Sequence, residues 1–130
     1  MLPLTENEIA RVVVDTAYRI HVALGPGLLE SVYQAVMLHD LRKRGLHVDD
    51  EVGVPVVWEE VRLDVGFRAD LIVERKVVLE LKSVEDIHPV HKKQLLTYLR
   101  LTNCRLGLLL NFGAELMKDG ISRVVNGLRD

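Results

Sequence analysis

The stretch FRADLIVERKVVLELKSV, residues 67–84, constrains the fold more than any other part of the chain. Two strongly apolar segments that read as buried strands flank a turn signal, Glu74-Arg75-Lys76. Three charged residues, Asp70, Glu80 and Lys82, interrupt those segments. A chain that folds back near Arg75 brings residues equidistant from it face to face, so Asp70 is expected opposite Glu80. Side chains alternate along a strand, which puts Lys82 on the face of Glu80. Directly opposite residues of an antiparallel pair have Cβ atoms about 5 Å apart. Two carboxylates that close repel unless a cation or a proton sits between them. An ion pair on a solvated sheet face would account for Lys82 and one acid. Two facing carboxylates with a single lysine make a poor ion pair and a good Mg²⁺ site, because magnesium takes one or two carboxylates plus water and substrate phosphate.

Composition bounds the rest. The chain has 130 residues and is 48% hydrophobic, enough for a real core, and residues 1–130 are expected to form one domain. No apolar run approaches the roughly 18 residues of a membrane span. MLPLTENEIA has no basic segment leading into an apolar one, so no secretory signal is expected. With a lone Cys104, expected to be a buried small side chain, the expected setting is reducing and cytoplasmic. The net charge of −2 excludes a polycation that coats DNA nonspecifically. Locally the balance differs. No acid occurs between Asp86 and Glu115, whereas Lys92, Lys93, Arg100 and Arg105 do, with His88 and His91. Arg42-Lys43-Arg44 is a second basic cluster. Either could face phosphate; the second equally fits a helix C-terminus, where cations oppose the dipole.

Helical and extended patterns alternate in a simple order. Thr5 and Glu8 form a capping box, and Ile9, Val12, Val13, Ala17, Ile20 and Leu24 follow the helical period until Gly25-Pro26-Gly27. A second helix is expected from Leu28 to Arg44, closed by Gly45. Strands are expected at Val48–Val57, Val61–Leu63, Phe67–Glu74, Val77–Val84 and Arg105–Asn111, with a last one at Ile121–Val125. Pro89 opens a third helix near Val90–Leu101. The fold class is therefore α/β: two N-terminal helices, antiparallel strands, a crossover helix and a further strand in a mixed sheet. The crossover makes the Val77 and Arg105 strands parallel neighbours.

On the third helix, His91, Gln94 and Tyr98 lie at i, i+3 and i+7 and line one face. Gln94 and Tyr98 could position a phosphate or a water; for His91 an ordinary helix boundary is the favoured reading. Glu30 and Tyr33 share a face of the second helix, but a Glu near a helix start is explained by the dipole alone. His21, His39 and His47 lack metal-ligand spacing. No phosphate-binding glycine loop, dinucleotide fingerprint or nucleophile elbow is present.

These residues resemble a known family. Gly27 to Tyr33, GLLESVY, is similar to the motif that names the GxxExxY proteins. Asp70, Glu80-Leu81-Lys82, and Gln94 with Tyr98 resemble the PD-(D/E)XK nuclease superfamily in which that family is placed. The likeness runs from about Asn7 to about Val125, and one departure is Ala69, which precedes Asp70 where proline is common. The resemblance implies a restriction-endonuclease-like core and a Mg²⁺ (or Mn²⁺) ion ligated by Asp70, Glu80 and the carbonyl of Leu81. It also implies that Lys82 orients or helps deprotonate the attacking water. Glu30 is implied as a further acid at the metal, and Gln94 and Tyr98 as supports of the site or contacts to the phosphate backbone. Phosphodiester hydrolysis in nucleic acid follows, with DNA favoured over RNA and a homodimer as the expected assembly. Two readings compete: a noncatalytic nucleic-acid-binding or regulatory module that keeps the fold, and a structural domain in which Asp70, Lys82 and Glu80 form only a salt-bridge network.

Overall fold

The computed structural model describes residues 3–129, the side chain of Val65 apart; Met1, Leu2 and Asp130, part of the expected domain, lie outside the described residues. Helices α1 (Glu6–Leu24), α2 (Glu30–Lys43) and α3 (Pro89–Thr102) accompany strands β1 (Val48–Trp58), β2 (Val61–Val73), β3 (Val77–Lys82), β4 (Leu106–Asn111) and β5 (Ile121–Val125). The sheet order is β1-β2-β3-β4-β5. β3 and β4 are parallel, and the other three neighbouring pairs are antiparallel. This is the mixed α/β sheet expected from the sequence, with α3 as the crossover.

Local chemistry explains the boundaries. Thr5 N–H donates to Glu8 Oε1 (3.0 Å) and Glu8 N–H to Thr5 Oγ1 (3.2 Å), the reciprocal capping box that starts α1. α1 buries Ile9, Ala10, Val13, Ala17 and Ile20, while Leu24, expected on the apolar stripe, is exposed. α2 starts two residues later than expected because Tyr33 holds the preceding turn out of the helix. Its hydroxyl donates to the Gly25 carbonyl and accepts from Leu28 N–H (3.2 Å), and its ring stacks on Phe112 with centroids 4.4 Å apart. Gly25 and Gly27 supply the positive φ this turn needs, +72° and +103°. At the other end of α2, Arg42 donates to the Val48 carbonyl (2.8 Å) and Arg44 pairs with Asp15 (2.8 Å), so these two cations serve the fold rather than a phosphate.

The two strands expected at Val61–Leu63 and Phe67–Glu74 are one continuous strand. Residues 64–66 form an irregularity within β2, where the β1–β2 register shifts between Val54 and Val56. A Cβ at Gly66 would come within 2.5 Å of Val56 Cγ2 and 2.8 Å of the Val54 carbonyl oxygen, so only glycine lets the strands stay paired there.

The sheet separates two apolar layers. Leu71, Val73, Val77, Leu79, Leu81, Leu106, Leu108 and Leu110 pack against α1 and α2. Ala69, Ile72, Val78, Cys104 and Leu109 pack with Leu95 and Leu99 of α3. β3 and β4 are therefore covered on both faces, which explains their continuous apolar composition. Each fully buried leucine contributes roughly 1.5–3 kcal/mol to holding these layers together.

Candidate active site

The polar site sits where β2 and β3 part. Their ladder pairs Val73 with Val77, Ile72 with Val78 and Leu71 with Leu79, then stops. The next row would pair Asp70 with Glu80, and here side chains replace the ladder. Leu81 N–H donates to Asp70 Oδ2 (2.9 Å), and Asp70 N–H donates to Glu80 Oε1 (3.4 Å). Each carboxylate thus occupies a backbone donor freed by the parting strands. Within a strand the N–H and C=O of one residue point to the same side. The Leu81 carbonyl therefore also points toward β2, beyond the last ladder pair.

The same row is irregular on the other side of β2. Glu51, across from Asp70, has φ +50° and falls between the paired rows Asp50–Leu71 and Val52–Ala69. Two residues apart in a regular strand face the same way, yet Leu71 lies in the α1/α2 layer and Ala69 in the α3 layer. β2 exchanges its faces at Asp70. Gln34, one turn after Glu30 on α2, spans this irregularity, its Nε2 donating to Glu51 Oε1 (2.7 Å) and to the Asp70 carbonyl (3.3 Å).

Electrostatics follow from burial. Glu80 is only 8% exposed, and burial, reinforced by the charge of Asp70, pushes its carboxyl up to about 8. Asp70 is also raised, chiefly by burial. Lys82 opposes both rises but forms no ion pair with either acid; the described ion pairs lie elsewhere, at Arg42–Asp50, Arg44–Asp15, His47–Asp49 and Arg62–Asp64. The salt-bridge network considered from sequence is therefore not what the fold builds. Glu30, at the first turn of α2, is raised by burial, lowered by Lys82 and raised by Asp70, so it shares the field of the site.

α3 closes the site from the other layer. Tyr98 stacks on Phe67 of β2, with centroids 3.5 Å apart and rings 6° from parallel. Its hydroxyl is raised by burial and then by the charges of Glu80 and Asp70. His91 is lowered by burial and next by Lys82, and its Nδ1 is buried without a hydrogen-bond partner. Gln94 is exposed and bonds to no described residue, so the structure puts it on the right helix without tying it to the carboxylates.

Over residues 7–124 the chain matches the family model of the PD-(D/E)XK nuclease superfamily. The chain belongs to the PD-(D/E)XK nuclease superfamily. No curated protein matches it. Among solved structures, that of SSO0001 is similar over 94% of this chain and 79% of its own, at 19% identity and a TM-score of 0.47.

Membership in a nuclease superfamily makes the donor chemistry of the parted strands pertinent. Among the described residues no three His, Cys, Asp or Glu side chains are grouped to hold a metal ion. Asp70 and Glu80 are a pair, with Glu30 and Glu51 set further out. The donors that converge are all oxygen: two carboxylates raised chiefly by burial, Glu80 further by the charge of Asp70, and the Leu81 carbonyl. Such a set fits a hard divalent cation and disfavours softer metals. Among the described residues no helix is long and apolar enough to cross a membrane.

Sequence reasoning brought Asp70, Glu80 and Lys82 together from the hairpin alone. It overlooked Gln34, Glu51 and Phe67. Gln34 was signalled by lying four residues after Glu30 on a helix, and Phe67 by lying in the FRAD segment upstream of Asp70. Glu51 was not signalled, because its place across from Asp70 depends on the β1–β2 register.

Proposed function

We propose that this superfamily member is a Mg²⁺- or Mn²⁺-dependent nuclease that hydrolyses phosphodiester bonds in nucleic acid, with DNA favoured over RNA. The observation that carries this reading is the buried Asp70–Glu80 pair, both carboxyls raised chiefly by burial, beside a lysine that neither acid captures. Asp70, Glu80 and the Leu81 carbonyl are the ligands, with Glu30 as an outer acid. A bound divalent cation would supply charge stabilisation at the scissile phosphate and a lowered pKa for water.

The chain's own groups do the rest. Lys82, on the Glu80 side of β3 and without an ion-pair partner among the described residues, is free to hold a phosphate oxygen or the attacking water and to offset charge as it develops. Water attacks phosphorus and one P–O ester bond breaks; the water's proton passes to solvent, and the departing ester oxygen takes up a proton from solvent. Tyr98, fixed by its stack on Phe67, presents its hydroxyl to the same space, and Gln94 extends that helix face toward the substrate backbone. The layers of α2 and α3 exclude bulk water around Glu80, which strengthens each of these interactions.

Purified wild-type protein is expected to cleave single- or double-stranded DNA with Mg²⁺ or Mn²⁺, and Asp70→Asn and Lys82→Ala to lose at least about 100-fold. Equal activity in all three proteins would assign the cleavage to a contaminant. Titration calorimetry that detects no cation binding, with or without oligonucleotide, would favour the noncatalytic module.

A further inference from the structure

Among the described residues, the distal half of the β1–β2 hairpin pairs with no third strand. β3 pairs only with residues 71–73 of β2, whereas β1 and β2 continue together to Trp58 and Val61. At about 3.3 Å per residue, the hairpin tip stands roughly 25 Å beyond Asp70. Near its base the arm is anchored, with Val52, Phe67 and Ala69 packed on α3.

The arm has two unlike faces. Cross-strand partners share a face, so Val56 with Leu63 and Trp58 with Val61 continue the side on which Val54 meets Phe67. The opposite side carries Val57, Arg62 and Asp64, the last two ion-paired at 2.7 Å. On the apolar side Trp58 is 70% exposed, Val61 54% and Leu63 53%. A core stripe thus runs past the end of the core. Together these three side chains offer on the order of 300 Å² of apolar surface, at the size where an exposed patch signals a partner.

Charge narrows the choice of partner. The arm from Glu51 to Arg68 carries Glu51, Glu59, Glu60 and Asp64 against Arg62 and Arg68, and its turn is Glu59-Glu60. An acidic tip repels a phosphate backbone. It does suit helix α3, whose residues include Lys92, Lys93 and Arg100 and no acid. A stable interface needs about 800 Å² from each partner. Two arms packed antiparallel, each acidic tip laid on the other copy's α3, add that second contact to the apolar one.

We propose that the arm is a homodimer interface: two copies pack the Val56–Trp58–Val61–Leu63 faces of their arms together about a two-fold axis, with Glu59 and Glu60 of each on the basic α3 of the other. Trp58 is the single tryptophan of the chain, so its fluorescence reports this contact directly. Light scattering between about 1 and 100 µM is expected to show a doubled mass, in step with a shift of emission to shorter wavelength. Trp58→Glu combined with Leu63→Glu is expected to be monomeric with an unchanged far-UV spectrum. Glu59→Lys combined with Glu60→Lys is expected to weaken the dimer at least tenfold, and Lys93→Glu with Arg100→Glu to restore it. A wild-type monomer throughout the range would overturn the proposal, as would a double-glutamate variant that stays dimeric. So would a monomer whose emission shifts only when an oligonucleotide is added, which would assign the arm to nucleic acid.

Discussion

Glu80 shows how a single residue couples the fold to pH. Its folded carboxyl titrates near 8 against an ordinary value of 4.5, so the folded state holds its proton where the unfolded chain has lost it. The stabilisation is therefore complete below about 4.5 and is lost as pH rises through about 8. Cation-free protein is expected to melt at progressively lower temperature across that window. Glu80→Gln should flatten the profile and be more stable than wild type at about pH 8.5 by on the order of 2 kcal/mol; an unchanged slope in thermal melts would show that Asp70 carries the proton instead. Gln34 is the second residue to test. It grips Glu51 and the Asp70 carbonyl without being a ligand itself. Gln34→Leu is expected to weaken Mg²⁺ binding about tenfold in calorimetry, as loss of an outer hydrogen-bonding partner does elsewhere. The melting temperature should move little, because Gln34 is only half-buried.

Among the elements, α2 owes its placement to the turn before it more than to its own sequence. Its first residue, Glu30, follows a Leu29 that offers no side-chain cap, and Tyr33 supplies the missing order by tying Gly25 and Leu28 together. The GxxExxY spacing becomes intelligible in those terms: the glycine permits the turn, the tyrosine fastens it, and the glutamate is delivered to the rim of the site. Tyr33→Phe keeps the Phe112 stack but leaves two backbone groups without a partner, and is expected to cost about 1–3 kcal/mol in denaturant unfolding. The same variant should weaken Glu30's contribution to cation binding, whereas a purely packing role would leave calorimetry untouched. α1, α3 and β3 were legible from capping, Pro89 and apolar patterning because those signals are local. The break expected at residues 64–66 does not form, for a related reason. Asp64 and Gly66 signal a turn locally, but the paired β1 strand holds them in line as a bulge.

At the scale of the molecule, the proposed cation binding is coupled to proton release. A divalent ion held as proposed by Asp70 and Glu80 would displace the proton that Glu80 retains at neutral pH, so apparent Mg²⁺ affinity is expected to rise with pH toward about 8, by at most about tenfold per unit. Calorimetry in two buffers of different ionisation enthalpy should detect close to one proton released per ion at about pH 7, and none in Glu80→Gln. The sequence by itself determined the α/β order, the parallel β3–β4 crossover, and the meeting of Asp70, Glu80 and Lys82, because a tight hairpin sets its own register through turn position and side-chain alternation. Only the tertiary structure decided three other things: that Lys82 forms no ion pair with Asp70 or Glu80, that β2 exchanges faces at Asp70 under the hold of Gln34 and Glu51, and that an apolar arm projects beyond the core. Each depends on contacts between elements far apart in the chain, set by packing and burial, and no local pattern encodes them.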